Sequence, residues 1–164
     1  MSRRDQIVMS GEEAAAFLAA GRTVTCATNG RDGWPHLMPL WYVLRDTEPT
    51  SSAGTGGLEL WAWTYAKSQK VANLRRDSRC TLQVEAGTEY AQLRGVMLAC
   101  ECVLHDEIDV VAPVGAEIAA RHGGADLTPE LETAMRRQAA KRVALRFVER
   151  RRVTWDHRKL GGTY

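Results

Sequence analysis

Short runs of strand-forming residues, separated by turn-forming residues, recur along this chain and restrict it to an antiparallel sheet. The segment 22–44 predicts two strands around a turn at 29–33, where Asn, Gly and Asp suit the backbone of a hairpin. A third strand is predicted at 58–65, and 79–104 predicts two more strands joined at 86–89. Five strands with hairpin connections and only short helices indicate a mainly β fold, an antiparallel sheet closed into a small barrel with flanking helices.

The second strand of the first hairpin is unusual because it contains Pro35 and Pro39. Proline cannot donate a backbone hydrogen bond to a neighbouring strand, so this strand should lie at an edge or carry a bulge. Its backbone would then be free to meet a ligand. His36 lies between the prolines, and a lone histidine is more often a satisfied polar group than a catalyst.

Helical patterns flank the predicted strands. Ser10 and Glu13 form a capping-box pattern for a short helix that ends at Gly21. Two further helices are predicted between 105 and 140, the second of which begins with Thr-Pro-Glu. The connection at 46–57 is rich in Gly, Ser and Thr and predicts a flexible surface loop.

The last third of the chain predicts an alternating strand, then a turn, then a final strand that ends at Trp155. Val143, Leu145 and Phe147 would share one face of the first of these strands. The charged run at 149–152 is typical of a solvated hairpin, and the alternative is a basic wall that attracts an anionic ligand. Gly95, in the fifth predicted strand, indicates a bulge or the close approach of another backbone.

Composition restricts the functional classes. At 164 residues, 45% hydrophobic and 26% charged, the chain is expected to form one domain over residues 1–164. A net charge of +2 gives no support for nucleic-acid binding. Since no apolar run could cross a bilayer and no signal peptide is visible, we expect no membrane association and a cytoplasmic protein.

Cysteines and histidines give no support for a metal site. The four cysteines lie within predicted strands in spacings that match no zinc pattern, so we expect reduced core thiols. They are Cys26, Cys80, Cys100 and Cys102. The four histidines are scattered, and the chain also lacks the glycine-rich motifs of dinucleotide-binding and nucleotide-hydrolysing proteins and the Gly-x-Ser-x-Gly motif of hydrolases.

The segment 61–79 carries the clearest functional signal, because its periodicity changes from strand to helix. Its aromatic strand is followed by a short helix that would begin at Ser68 and end near Asp77. Lys67 and Lys70 flank that helix start, where unpaired backbone N–H groups and the helix dipole favour an anion such as phosphate. The alternative is a solvated helix whose basic residues face water. Tryptophans in this region could contact a flat ring, although core packing is expected for Trp61 or Trp63.

Taken together, the hairpin GWPHLMPLWY, the segment AKSQKVANLRRDSR and a long strand that contains RGV carry a resemblance. This arrangement resembles the flavin-binding split-barrel family typified by pyridoxamine 5′-phosphate oxidase. It is more similar to the actinobacterial branch of deazaflavin-dependent oxidoreductases, which use coenzyme F420. The most specific part is the set Lys70, Asn73, Leu74, Arg75, Arg76 and Asp77.

The resemblance implies a homodimer with two cofactors bound between the protomers. The cofactor would be F420, with FMN as the alternative. Reduced deazaflavin would transfer a hydride to a small conjugated planar acceptor such as a quinone, tetrapyrrole or enone. Three groups of residues would contact the cofactor: His36, Leu37, Met38 and Pro39 the ring; Thr64, Lys67, Ser68 and Lys70 the phosphate and the start of its tail; and Thr88, Glu89, Tyr90 and Ala91 the ring or tail.

Other readings of the resemblance remain open. Arg75, Arg76, Arg79 and the C-terminal arginines could bind the polyglutamyl tail of F420. His36 or Tyr90 could donate a proton through water, and no catalytic residue is assigned. The alternatives are an FMN-binding oxidase or reductase of the same fold, and a noncatalytic cofactor- or haem-binding split barrel.

Overall fold

The computed structural model describes residues 2–47 and 58–161, and six strands in these ranges form a barrel. Their order around the barrel is β1-β2-β3-β6-β5-β4, and every neighbouring pair is antiparallel. This confirms the predicted antiparallel barrel. The strands are β1 Thr23–Asn29, β2 Pro35–Asp46, β3 Leu58–Tyr65, β4 Arg79–Ala86, β5 Arg94–His105 and β6 Arg142–Asp156.

Five α-helices surround the barrel in the described part of the chain. They are α1 Arg3–Gln6, α2 Gly11–Ala20, α3 Gln69–Arg76, α4 Ile108–Gly123 and α5 Pro129–Ala139, with short 3-10 helices at Tyr90–Gln92 and His157–Leu160. The predicted capping box of α2 is present, because Ser10 and Glu13 each accept a hydrogen bond from the other's backbone N–H. None of the described helices is both long enough and apolar enough to cross a membrane.

Helices α2 and α3 close the two ends of the barrel. Leu18 of α2 packs into the barrel core near the start of β1, and Leu74 of α3 packs into the core near the end of β1. The strand between them carries alternate buried side chains, as predicted, so the barrel interior is continuous from one helix to the other. Helix α4 lies outside the barrel, where Val111 and Val114 pack with Trp61 of β3, which is the buried tryptophan that the sequence predicted.

The predicted hairpin at 149–152 is wrong, because β6 is one strand of 15 residues. Its register against β5 passes from Ala99 paired with Arg151 to Cys100 paired with Glu149, which leaves Arg150 as the extra residue of a bulge. Arg152 forms an ion pair with Glu149 at 2.7 Å, and Arg150 reaches Glu101 of β5 at 2.6 Å. Three of the four charges that suggested a solvated turn, those of Glu149, Arg150 and Arg152, are therefore paired within the sheet.

Other local predictions have mixed outcomes. A Cβ atom at Gly95 would lie 2.3 Å from the ring of Trp155, so this glycine makes room for that ring and not for another backbone. The bulge lies in β6, opposite Ala99 and Cys100 of β5. All four cysteines are buried and free of disulfides. Most of the predicted loop at 46–57 lies outside the described residues.

Candidate functional site

The closed barrel has a seam, between the first half of β2 and the end of β3, along which these two strands are not paired. Residues 35–41 of β2 pair with β1 only, and the pairing of β2 with β3 begins at Tyr42 and Ala62. Residues 63–65 of β3 therefore pair only with β6 among the described strands. The two prolines of β2 lie in this half, which confirms the prediction of an edge strand.

Helix α3 begins at the end of this seam. Ser68 is its N-cap residue, as predicted, but its side chain makes no capping hydrogen bond. The Ser68 Oγ is buried and has no hydrogen-bond partner within the described residues. Buried hydroxyl groups nearly always have a partner, so this oxygen marks a position where a ligand atom would satisfy it.

Lys70 provides an unusual charge in the first turn of α3. Its side chain is buried, with 7% of the residue exposed, and its Nζ donates a hydrogen bond of 3.2 Å to Thr64 Oγ1. No carboxylate of the described residues forms an ion pair with it, although an ammonium group has three N–H donors. Burial lowers the pKa of Lys70, and the nearby Cys26 thiol opposes this shift only in part.

Three of the four predicted phosphate ligands lie in one part of the structure. Thr64, Ser68 and Lys70 lie at one end of the barrel, between β3 and α3. Lys67 is exposed to solvent just before α3 and makes no ion pair within the described chain. A buried cation with spare donors and an unpartnered hydroxyl form an arrangement that fits an anion.

Asn73 fixes α3 against the first hairpin. This side chain is fully buried, and its Nδ2 donates a hydrogen bond of 3.0 Å to Thr28 Oγ1. Gln69 donates a bond of 2.9 Å to the Asn73 Oδ1. The resulting groove of about 520 Å³ between hairpin and helix includes His36, whose Nδ1 is buried without a partner, and Trp34, which is 76% exposed.

The predicted ring-lining residues lie along the seam. Leu37, Met38 and Pro39 are exposed on β2, and His36 is half-buried. Consecutive strand residues point to opposite faces, so the exposure of both faces shows that this half of β2 lacks a covering layer in the described chain.

The remaining predicted ligands do not join this site within one chain. Thr88, Glu89, Tyr90 and Ala91 lie in the connection from β4 to β5, beyond Ala86. The eight residues of β4 separate that connection from α3, a distance of about 25 Å at roughly 3.3 Å per residue. Here the ring of Tyr90 packs on His157, and the Tyr90 carbonyl lies 3.1 Å from His157 Nδ1.

Arg75, Arg76 and Arg79, which could bind a cofactor tail, have partners within the chain. Arg75 pairs with Asp106 at 2.8 Å, Arg79 pairs with Asp77 at 2.9 Å, and Arg76 donates to the backbone carbonyl of Asn29. These contacts tie the end of α3 to its surroundings. Among the described residues, Lys67 just before the helix and the exposed Lys141 have no ion-pair partner. Ala66 N donates a bond of 3.0 Å to the Lys141 carbonyl.

Sequence reasoning missed a groove on the outer side of the seam, which we call the outer groove. It has a volume of about 290 Å³ and is lined by Thr23, Pro39, Leu40, Trp41, Trp63 and Arg142. The guanidinium of Arg142 lies 4.3 Å from the ring centres of both Trp63 and Tyr65. Strand alternation placed Arg142 on the outer face, but its aromatic partners belong to a strand nearly 80 residues earlier, which no local pattern reveals.

No group of three or more histidine, cysteine or acidic side chains in residues 2–47 and 58–161 is arranged to hold a metal ion.

Comparison with solved structures places the fold among known proteins. A conserved hypothetical protein from Mycobacterium tuberculosis, Rv2991, is 39% identical with a TM-score of 0.82, over 100% of this chain and 95% of that one. An F420 reductase is 14% identical with a TM-score of 0.60, over 84% of this chain and 94% of that one. HutZ, the heme storage protein from Vibrio cholerae, is 12% identical with a TM-score of 0.61, over 88% and 92%. The last two show likeness of fold alone.

Comparison of sequences assigns the family. No curated protein matches the chain. Residues 10–154 match the sequence model described as pyridoxamine 5′-phosphate oxidase, and these residues include the whole seam, α3 and almost all of the barrel. The chain therefore belongs to the pyridoxamine 5′-phosphate oxidase family, which includes oxidoreductases.

Proposed function

We propose that this protein is an F420-dependent oxidoreductase that transfers a hydride from reduced deazaflavin to a small conjugated planar acceptor. The observation that carries this proposal is the buried Lys70, which lacks a carboxylate partner and lies beside Thr64 at the start of α3. An ammonium group without a counterion is costly to bury, so the site is best explained by an anion that neutralises it in the functional state.

The residues present fit a phosphate group. Lys70 has two N–H donors beyond the one bound to Thr64, and Ser68 has a hydroxyl group without a partner. Both lie at the N-terminus of an eight-residue helix, where backbone N–H groups favour negative charge. Lys67 would add an exposed charge near the same position.

The distribution of charge around this site supports F420 over FMN. Beyond the phosphate, F420 carries a polyglutamyl tail, so its protein needs further cations outside the phosphate site. Lys67 and Lys141 are both exposed, and Ala66, which precedes Lys67, donates a backbone hydrogen bond to the Lys141 carbonyl. Neither lysine has an ion-pair partner in the described chain. The fold likeness to an F420 reductase is consistent with this choice.

The remaining residues would hold the cofactor and limit water access. The open edge of β2 offers backbone groups to a flat ring, because residues 35–41 lack a neighbour on the seam side. When bound in its reduced form, F420 would supply the hydride. His36 lies on the seam with an unpartnered Nδ1 and is our proton-donor candidate, whereas Tyr90 of the same chain is at the opposite end of β4.

Titration of the apoprotein with F420 and with FMN, together with a control variant that removes a cation elsewhere, tests the proposal. We expect the purified apoprotein to bind F420 with a micromolar or lower dissociation constant and to bind FMN more weakly. Cofactor fluorescence would measure both affinities. Lys70→Ala should weaken F420 binding by roughly 1.5–3 kcal/mol, because a charge-assisted hydrogen bond is lost. The control is Arg136→Ala, which removes an exposed cation of α5 paired with Asp109 of α4 and should leave affinity unchanged.

Circular dichroism of each variant would establish that it is folded. An unchanged affinity in folded Lys70→Ala protein would contradict the phosphate site. Tighter binding of FMN than of F420 would instead assign the protein to the flavin-dependent members of the family, and binding of neither would favour the noncatalytic alternative.

A further inference from the structure

Three arginines stack on the outward-facing tryptophans of β3, and they differ in one respect. Arg45 lies 4.7 Å from the Trp61 ring centre and binds Glu117 through two hydrogen bonds of 2.9 and 2.6 Å. Arg146 lies 6.0 Å from the same ring and binds Glu59 through two bonds of 2.7 and 2.8 Å. In both cases the aromatic face and a carboxylate together fix the guanidinium group.

Arg142 has the aromatic contacts without the carboxylate. It lies between Trp63 and Tyr65, and its one side-chain hydrogen bond within the described residues is a long contact of 3.4 Å to Gln138 Oε1. A guanidinium group has five N–H donors in a planar fork that matches a carboxylate. The donors of Arg142 are thus held in place beside the outer groove and remain largely available.

The walls of the outer groove are held rigidly. A Cβ atom at Gly115 of α4 would lie 2.4 Å from the ring of Trp63, so helix and ring are in direct contact. On the other side, the ring of Trp41 stacks on His122 of α4 with centroids 4.4 Å apart and an angle of 9° between planes. The groove therefore offers flat apolar surfaces at fixed positions, with one cation at its margin.

We infer that the outer groove binds the carboxylate of a planar acceptor, with Arg142 as the carboxylate-binding residue and Trp41 and Trp63 as the apolar walls. This inference rests on the proposed function and adds a substrate class to it. Pro39 lines the outer groove and also belongs to the segment proposed to contact the cofactor ring, so an acceptor in the groove would lie beside that segment. A carboxylate would complete the set of contacts that Arg45 and Arg146 already possess.

Calorimetric titration of the apoprotein with two matched probes tests this inference without any turnover. Cinnamate is a planar conjugated carboxylate, and cinnamamide has nearly the same shape without the charge. We expect the affinity for cinnamate to be at least about tenfold higher than the affinity for cinnamamide. Arg142→Gln should abolish this preference and leave the affinity for cinnamamide unchanged. Arg137→Gln, on the exposed face of α5, is the matched control and should keep the preference.

Two further variants separate the parts of the site. Arg142→Lys keeps the charge but loses the planar fork, so it should retain a reduced preference for cinnamate. Trp41→Leu removes one apolar wall and should weaken both probes equally. Equal binding of the two probes to the wild-type protein, or a preference that survives Arg142→Gln, would overturn the inference.

A final titration with cinnamate in saturating F420 shows whether Arg142 binds the carboxylate of an acceptor or a carboxylate of the cofactor tail. Retained cinnamate binding supports an acceptor site, whereas loss of binding would mean that the tail of the cofactor occupies Arg142, and the acceptor assignment would then be wrong. If F420 itself does not bind, the proposed function fails, and the cinnamate preference measured without cofactor still reports separately on Arg142.

Discussion

Lys70 is the residue whose environment most restricts the function of this protein. Lysine is almost never buried unless it is paired, yet this one is buried with a single hydroxyl partner. Because burial lowers its pKa, the folded apoprotein holds the Lys70 proton less tightly than the unfolded chain does. Its contribution to the free energy of unfolding therefore becomes more favourable as the pH rises from the lowered pKa towards the ordinary value of 10.5.

Cofactor binding should have the opposite pH dependence. A bound phosphate favours the charged form of Lys70 and raises its pKa, so binding takes up a proton once the solution pH exceeds the lowered value. We expect affinity to fall with increasing pH between the lowered pKa of Lys70 and its ordinary value of 10.5, by at most about tenfold per pH unit. The charge of the phosphate stays constant in this range, because the second pKa of a phosphate monoester is about 6 and a phosphate diester has no second ionisation.

Titrations of the wild-type protein and Lys70→Arg between pH 7 and pH 10 would check this prediction. The arginine variant keeps its charge throughout that range, so it should lose the slope assigned to Lys70. The same slope in both proteins would show that another group is responsible.

Residue patterns could indicate the proposed phosphate site because its members are close together in the sequence. Thr64, Ser68 and Lys70 lie within seven residues where a strand gives way to a helix, and local periodicity is enough to identify that transition. The orientation of Lys70 towards the barrel interior was not predictable, because it depends on the packing of α3 against β1 and β5. The role of Arg142 was not predicted for a similar reason, because the aromatic rings around it belong to β3.

Among the elements, α4 has the closest connection with the outer groove. Gly115 allows this helix to contact Trp63, and Ala at this position would place a methyl group 2.4 Å from the ring. We expect Gly115→Ala to lower the free energy of unfolding by about 1–3 kcal/mol, as overpacking typically does, and to displace Trp63. Urea denaturation would measure the first effect and tryptophan fluorescence the second.

The matched control for this prediction is Gly123→Ala in the same helix. Nothing lies within 4 Å of a Cβ atom at that position, so the variant should be unchanged or more stable by up to about 1 kcal/mol. Equal stability of the two variants would mean that α4 can move away from β3 without cost, and the groove would then not be rigid.

Strands were predicted well where one face is buried and poorly where a bulge interrupts the alternation. In β1, alternate residues face the core over the whole strand, and the sequence shows this directly. In β6, the bulge at Arg150 changes which face each residue occupies, and the paired charges of Glu149 and Arg152 resemble the composition of a turn. Only the neighbouring strand β5, which supplies Glu101, distinguishes a continuous strand from a hairpin.

At the scale of the whole molecule, we propose a homodimer. One chain places Lys70 and the connection at 88–91 at opposite ends of β4, so both can contact one cofactor only if a second chain contributes. The exposed apolar residues Trp34, Leu37 and Met38 along the seam would supply contact area. Sedimentation equilibrium should give twice the 18.2 kDa of one chain.

A charge on the seam should separate the protomers. Leu37→Glu is expected to lower the measured mass to that of one chain and to weaken cofactor binding with it, because burial of a carboxylate at an interface is unfavourable. Leu127→Glu changes an equally exposed leucine between α4 and α5 and should leave the mass unchanged. A single-chain mass for the wild-type protein would contradict the dimer.

The position of β6 in the chain has a consequence for how the protein is made. This strand joins β3 to β5, so each of those strands has one open edge until residues 142–156 have left the ribosome. The roughly 50 residues between the end of β5 and the end of β6 take several seconds to translate at about 5–20 residues per second. Open strand edges pair readily with other chains. Nascent molecules thus pass through an interval of aggregation risk whose duration is set by the speed of translation, and slower codons in this region would lengthen it.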